Sequence, residues 1–259
     1  MYKYGFIGLG NMASALITGF LEAADLNGTT DIIGYDINQA AITRQDGRIA
    51  IGQSNEDVIR QSDVVFVCVK PQVAAQVVLA VRDELKNKAI VSIVLGFDYD
   101  RYEELLDSST RHLTIMPNLA VAVKQGVCLL EEKQSLTDEE FASVRQDLDC
   151  VGKTVILGSH LMGVGGAVSG CAPAYVYMVI EAMADGAVAN GLPRADAYAI
   201  AAQTVAGAAM LQAETGTHPG ILKDQVTSPA GSTIKGVMAL EKGGMRSLFI
   251  DAINASLKK

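Results

Sequence analysis

The residues of this chain whose types and spacing bear on chemistry fall into two groups far apart in sequence. Near the start, Gly8-Leu9-Gly10-Asn11-Met12-Ala13 lies between an apolar run, Tyr4 to Ile7, and a segment that spaces Met12, Leu16, Phe20 and Leu21 at helical intervals. This is the GxGxxG/A spacing. One glycine makes a tight turn, the second lets a pyrophosphate approach the backbone, the small third residue lets helix pack on strand, and the helix N-terminal amides face the phosphates. Taken alone, the same glycines are also compatible with a purely structural turn. A second apolar run ends at Tyr35-Asp36, where such an arrangement puts a carboxylate that accepts both ribose hydroxyls of NAD and repels a 2′-phosphate. The alternative is that Asp36 simply opens the turn before a helix starting at Asn38.

The second group is the polar stretch Lys223-Asp224-Gln225-Val226-Thr227-Ser228-Pro229-Ala230-Gly231-Ser232-Thr233-Ile234. It has the texture of a loop entering a helix, and hydroxyls with free amides at a helix N-terminus suit a carboxylate without any Lys or Arg. Ser228 or Ser232 acting as an ordinary N-cap is the competing explanation. Elsewhere the usual catalytic kits are missing: there is no HExxH and no GxSxG. His112, His160 and His218 are dispersed and expected at the surface or as caps, and Glu181 and Asp185 share one helix face. Cys68, Cys128, Cys150 and Cys171 form no CxxC pair, so no metal site is expected and a reduced, cytoplasmic protein is the simplest reading. Cys171 precedes Ala172-Pro173, an expected helix start, where a thiol pKa can be lowered.

The elements that must position these residues follow from pattern and composition. With 259 residues, 49% hydrophobic and 19% charged, the chain can bury a core of one large or two ordinary domains, and its net charge of -8 provides no basic field for nucleic acid. Continuous apolar runs at Ile32 to Tyr35, Val64 to Val69, Ala89 to Leu95 and Leu113 to Met116 alternate with helical segments, which predicts a doubly wound, mainly parallel Rossmann-type sheet over residues 1–157. Gln125 to Leu130, a helix from Thr137 to Cys150, and Thr154 to Leu157 extend it at one edge. Residues 158–259 are expected to be all helical: alanine makes up 15 of the 44 residues from Cys171 to Glu214, and Gly191-Leu192-Pro193-Arg194 divides two helices. Val176, Met178, Val179, Ile180, Met183 and Val188 cover most of the first helix, so it should be buried all round. One chain of this size can hardly enclose it, which predicts an obligate homodimer and leaves open an assembly of dimers. Thr154 to Ile180 carries no charge and is long enough for a bilayer, but its glycines and Pro173 argue for a buried linker and helix instead. Ala13-Ser14-Ala15 imitates a secretory cleavage site, yet Gly8 and Gly10 interrupt the apolar run that a signal would need.

Taken in order, Gly8-Leu9-Gly10-Asn11-Met12, Val69-Lys70-Pro71, Met116-Pro117-Asn118, Pro173-Ala174-Tyr175-Val176, Gly191-Leu192-Pro193-Arg194 and Leu222 through Thr233, continuing to Leu240-Glu241 and Gly243-Gly244-Met245-Arg246, resemble the pyrroline-5-carboxylate reductase family along almost the whole chain. The resemblance implies reduction of 1-pyrroline-5-carboxylate to proline, the last step of proline biosynthesis, with NADPH or NADH on the N-terminal domain and a second chain completing each site. It assigns the phosphates to Gly8, Leu9, Gly10, Asn11 and Met12, an adenosine-ribose contact to Asn55, and the nicotinamide side to Val69, Lys70, Pro71, Met116, Pro117 and Asn118. Ser228, Gly231, Ser232 and Thr233 would hold the substrate carboxylate, with the Thr233 hydroxyl facing the ring nitrogen as the catalytic group. A protonated imine is already a good hydride acceptor and needs positioning more than a dedicated acid, which explains the missing kit.

The chain departs from the family pattern in four places. Ala230 stands where glycine is usual, a small-for-small change expected to be harmless. Leu119-Ala120 replaces Thr-Pro, Cys171-Ala172 replaces a Ser-Gly pair, and Asp36 stands where many members carry Ser, Thr or Arg, which tilts cofactor choice toward NADH. Three rivals remain. A β-hydroxyacid dehydrogenase would carry a Lys soon after Gly163-Val164-Gly165-Gly166, and none follows until Lys223. An imine reductase for another cyclic imine, and a non-catalytic nucleotide-binding paralogue, are separated from the family reading by substrate turnover.

Overall fold

The computed structural model describes residues 1–23 and 31–258. They form two compact units, Met1–Gly170 and Cys171–Lys259. In the first, β1 (Tyr2–Ile7), α1 (Asn11–Glu22), β2 (Ile32–Tyr35), α2 (Gln39–Gln45), β3 (Ala50–Ile51), α3 (Asn55–Gln61), β4 (Ser62–Val67), α4 (Pro71–Ala80), β5 (Ala89–Ser92), α5 (Tyr99–Leu105) and β6 (Arg111–Pro117) run in a strand-helix alternation. β7 (Gly126–Glu131), α6 (Asp138–Cys150) and β8 (Gly152–Leu157) complete the sheet, and α7 (Ser159–Gly166) follows. The eight strands lie in the order β3-β2-β1-β4-β5-β6-β7-β8, parallel except that β6 and β7 run antiparallel. The expected mainly parallel sheet is therefore present, and two details were not foreseen: the two-residue β3 and the reversal at β6.

The apolar runs are continuous because the central strands are covered on both faces. Successive residues serve opposite layers: Phe6 and Phe66 stack at 4.8 Å in the layer with Leu16, Phe20 and Leu148, while Ile7, Val65 and Val67 pack with Ala74, Val78 and Tyr102. Thr137 and Glu140 form a capping box that starts α6, and Arg111 at the beginning of β6 reaches Glu140 with Nε at 2.8 Å and Nη2 at 2.6 Å. Asp147 accepts from Tyr4 and pairs with Lys3 at 2.6 Å, which ties α6 to β1. His112 is not a surface residue as expected. It is fully buried on β6, with Nε2 2.9 Å from Glu103 of α5.

The second unit contains α8 (Ala172–Ala189), α9 (Arg194–Thr215), α10 (Pro219–Gln225), α11 (Ser232–Lys242) and α12 (Met245–Leu257), with no strand among its described residues. Gly191, with φ +95°, makes the turn between α8 and α9, and Asp185 accepts from Arg194 across it at 2.5 Å. His218 caps α10, accepting from the Gly220 amide at 3.1 Å. Within one chain α8 is not enclosed: Met178 is 67% and Tyr177 66% exposed, and only Ala184 of that helix is buried. Its apolar surface continues onto Leu240, Leu248 and Phe249, which line a common groove. By length and composition the helical run Ser159–Ala189 could also cross a membrane. Cys171 does not begin a helix, because α7 passes through a π-helical segment, Ala167–Cys171, straight into α8, and Cys171 itself has helical dihedrals. A thiol there faces no free helix N-terminus.

Candidate active site

Strand order reverses between β1 and β4: β1 pairs in parallel with both β2 and β4, and the carboxyl ends of β1 and β4 flank the crevice where open α/β sheets take ligands. Both ends are shaped by glycine. Gly8 has φ +91°, and a β-carbon on it would sit 2.8 Å from the Cys68 carbonyl oxygen, so only glycine lets the end of β1 pass that close to the end of β4. Gly10 is the N-cap of α1, exposed, with no side-chain cap and no atom within 4 Å of where its β-carbon would be. A bare, uncapped helix start over an open space is what a pyrophosphate needs, and the residues present fit a dinucleotide. Ala13, 1% exposed, is the small third residue that seats α1 on the sheet.

Two of the expected contacts turn out differently in detail. The Leu9 side chain is in the core, where Gly34 of β2 makes room for it, since a β-carbon at Gly34 would lie 2.7 Å from Leu9 Cδ2. The Leu9 amide donates to Asp36 Oδ2 at 2.7 Å, and the Asn38 amide donates to Oδ1 at 2.8 Å. Asp36 thus holds the glycine turn itself, while Asn38 caps α2 by accepting from the Ala40 amide at 3.0 Å. The expected turn before a helix at Asn38 is present, with Asn38 as the cap of α2, and the Asp36 carboxylate lies against the Leu9 amide of the glycine turn. A glycine inside the run Ile32 to Tyr35 was the available sign that another residue approached β2 closely.

Around the crevice, Asn55 opens α3 after the Ser54 cap, and Val69 reaches to 3.1 Å of the Gly8 β-carbon position. Lys70 and Pro71 form the exposed cap and first residue of α4. Met116 and Pro117 end β6, and Met116 Sδ would be 2.2 Å from a β-carbon on Gly166, so the glycines of α7 let that helix rest on the strand end. Asn118 is more structural than expected, since Nδ2 donates to the Ser169 carbonyl at 2.9 Å and Oδ1 accepts from the Val127 amide at 3.2 Å. Cys128, on β7, is buried, and desolvation pushes its thiol pKa up to about 12, so it is inert. Among the described residues no group of histidine, cysteine and carboxylate side chains could hold a metal.

In the second unit, the Gly231 amide donates to the Ser228 carbonyl at 3.0 Å, closing a turn over Ser228-Pro229-Ala230-Gly231 directly before α11. The N-cap of α11 is Gly231, with no side-chain cap, so neither Ser228 nor Ser232 is the ordinary cap that was the competing explanation. A β-carbon on Gly231 would lie 2.4 Å from Ser228 Oγ, which means that this hydroxyl leans over the helix mouth, where Ser232 and Thr233 are exposed. Ala230 has φ +60°, so the alanine-for-glycine change is not the neutral substitution expected, since its β-carbon is held in the left-handed region.

Residues 159–259 match the family model described as pyrroline-5-carboxylate reductase dimerisation, and residues 3–96 match one described as NADP oxidoreductase, coenzyme F420-dependent. Pyrroline-5-carboxylate reductase from Methanosarcina acetivorans is 38% identical over 97% of this chain and 94% of its own length. The chain belongs to the pyrroline-5-carboxylate reductase family. The Escherichia coli reductase is 36% identical over 99% of this chain and 96% of its own. A crystal structure of Plasmodium falciparum pyrroline carboxylate reductase with NADP bound superimposes with a TM-score of 0.89 at 28% identity, covering 99% of this chain and 95% of that one. For a member of this reductase family, a nicotinamide cofactor on the first unit and dimerisation through the second are accounted for, and the exposed apolar face of α8 falls inside the dimerisation segment.

Proposed function

We propose that this chain reduces 1-pyrroline-5-carboxylate to L-proline as a homodimer. The observation that carries the reading is the pair of bare helix starts: Gly10 before α1 and Gly231 before α11, each uncapped by any side chain and each preceded by a turn with a residue in the left-handed region, Gly8 in the first and Ala230 in the second. The reduced nicotinamide, when bound, supplies the hydride that adds to the imine carbon. Gly8 and Leu9, whose amides are held by Tyr35 and Asp36, shape the turn that presents the backbone of Gly10, Asn11 and Met12 to its pyrophosphate; Asn55 takes the adenosine ribose, and Val69, Lys70, Pro71, Met116, Pro117 and Asn118 border its nicotinamide half. Ser228 and the amides of Ser232 and Thr233 hold the substrate carboxylate on the positive end of α11, and Gly231, whose own amide closes the turn on Ser228, leaves that mouth clear of a side chain. The Thr233 hydroxyl orients the protonated ring nitrogen, and because a hydroxyl is a poor acid it acts by alignment. As the family resemblance implies, a second chain completes each site. Cys68, Cys128 and Cys171, thiols outside any disulfide, fit a reducing, cytoplasmic setting, and the apolar run Ser159–Ala189 serves the dimer rather than a membrane.

The same reading extends to cofactor choice. The Asp36 carboxylate is pinned by two backbone amides and cannot swing away from the ribose side of the turn. The side chain of the next residue, Ile37, is apolar and 91% exposed, and carries no donor or charge for a phosphate. Arg44 donates to Asn11 Oδ1 at 3.3 Å, and Arg48 donates to Gln45 and Thr18, so neither guanidinium answers Asp36. NADH is therefore the preferred cofactor. The test is proline formation by the purified protein from pyrroline-5-carboxylate with each cofactor: the reading requires turnover, with a higher kcat/KM for NADH. NADPH preference would remove the Asp36 assignment while leaving the reaction, and tight cofactor binding with no proline formed would favour a nucleotide-binding paralogue.

A further inference from the structure

The turn that leads into α11 carries a feature that the reductase reading does not require. Pro229 at its second position fixes a negative φ, Ala230 at its third has φ +60°, and the Gly231 amide closes it on Ser228 at 3.0 Å, which together define a type II β-turn. The third position of that turn is where glycine belongs, because a β-carbon in the left-handed region crowds the neighbouring carbonyl. Among the described residues only Asn87, Lys124 and Ala230 are non-glycine residues with such a backbone, and Ala230 is the one next to the proposed carboxylate site. Strain of this kind persists where the surroundings impose it, and it gathers at sites that bind ligands.

A type I turn accepts the same proline at its second position and places the third residue at negative φ, where alanine is unstrained. The two turns differ by a flip of the peptide between Pro229 and Ala230. Glycine at position 230 would hold the type II form firmly, whereas alanine brings the two forms closer in free energy. We infer that Ala230 is a positioning residue for the substrate carboxylate: its methyl group puts strain into the type II form of the Ser228–Gly231 turn, leaving it nearer the balance point of a peptide flip than glycine would, and a carboxylate that binds the type II form shifts the turn further toward it. The inference rests on the proposed role of Ser228 through Thr233. The affinity of the site is reduced by the fraction of turns in the other form, and the same balance eases release of product.

The test compares the parent dimer with Ala230→Gly and Ala230→Asn, asparagine being tolerated at left-handed φ. With NAD+ saturating, the Kd of L-proline by calorimetry is expected to fall about two- to fivefold in Ala230→Gly, with Ala230→Asn in between. KM for pyrroline-5-carboxylate should fall in the same order, while kcat stays level or drops as product leaves more slowly. Equal Kd and KM across the three proteins, with the change appearing only as a higher Tm for Ala230→Gly, would overturn the inference and mean that the fold holds the strain outright. A parent protein that binds NAD+ but neither binds proline nor turns over would instead overturn the reductase reading on which the inference stands.

Discussion

Gly8 and Gly10 lie two residues apart, yet the structure demands opposite consequences from adding a methyl group to each. At Gly8 the backbone is left-handed, and a β-carbon would meet the Cys68 carbonyl oxygen at 2.8 Å, its carbon at 3.0 Å and Val69 Cγ1 at 3.1 Å. The conformational cost is about 1–2 kcal/mol, and parting two strand ends adds roughly 1–3 kcal/mol, partly offset by an unfolded chain that is stiffer by about 0.4–1 kcal/mol. The net loss for Gly8→Ala is about 2–4 kcal/mol, or roughly 5–15 °C in Tm for a domain of this size. At Gly10 the backbone is in an ordinary region and nothing lies within 4 Å, so Gly10→Ala should stay within about 1 kcal/mol of the parent. Its methyl instead fills the space left for the pyrophosphate, and an overpacking cost of about 1–3 kcal/mol there weakens NADH binding roughly 5- to 150-fold. Thermal unfolding paired with NADH titration by fluorescence separates the two: Gly8→Ala should lose both stability and binding, Gly10→Ala binding alone. A Gly10→Ala protein that binds NADH like the parent, or that loses as much Tm as Gly8→Ala, would refute the assignment of the turn.

Other expectations follow from individual residues. Thr233→Val should lower kcat about 10–100-fold by losing alignment of the ring nitrogen, with Tm and NADH affinity unchanged because Thr233 is exposed; parent-like kcat would remove Thr233 from the site. Asp36→Ser should move the kcat/KM ratio toward NADPH by at least about tenfold, since a fixed negative charge no longer opposes the 2′-phosphate. The Arg111 hydrogen bonds hold the Glu140 carboxyl below the usual carboxylate range, so the stability they confer is complete above about pH 4.3 and is lost as pH falls through the lower folded value. Glu140→Gln should flatten that part of the acid-unfolding profile and leave neutral-pH activity intact. Mixing Gly10→Ala with Thr233→Val chains under exchange should restore about a quarter of parental activity, because a mixed dimer with sites shared between chains contains one intact site. No recovery would mean that each site is built within one chain.

The sheet was legible because its strands are buried on both faces, and runs such as Val64 to Val67 and Ala89 to Ser92 leave no polar alternation to misread. The reversed β7 was not, since Gly126 to Glu131 is as apolar as its parallel neighbours and strand direction leaves no mark on composition. Spacing located Gly8 and Gly10, but spacing carries no information about where an amide points, so the bond from Leu9 to Asp36 had no sequence signature. Asn118 was visible as part of a motif, while its bracing of Ser169 and Val127 depends on a contact 51 residues away. The loop Ser228 to Thr233 showed its polar chemistry in its residue types. What the types concealed was φ at Ala230: Pro-Ala fits more than one turn, and only the closed hydrogen bond with a positive φ selects type II.

The most direct test of the account is steady-state oxidation of NADH by the purified dimer with pyrroline-5-carboxylate as acceptor, alongside its six-membered cyclic homologue. The account predicts turnover with the five-membered imine, stoichiometric formation of L-proline, and a clear preference over the larger ring. NADH consumption with the six-membered imine alone, or saturable NADH binding with no consumption by either, would contradict it.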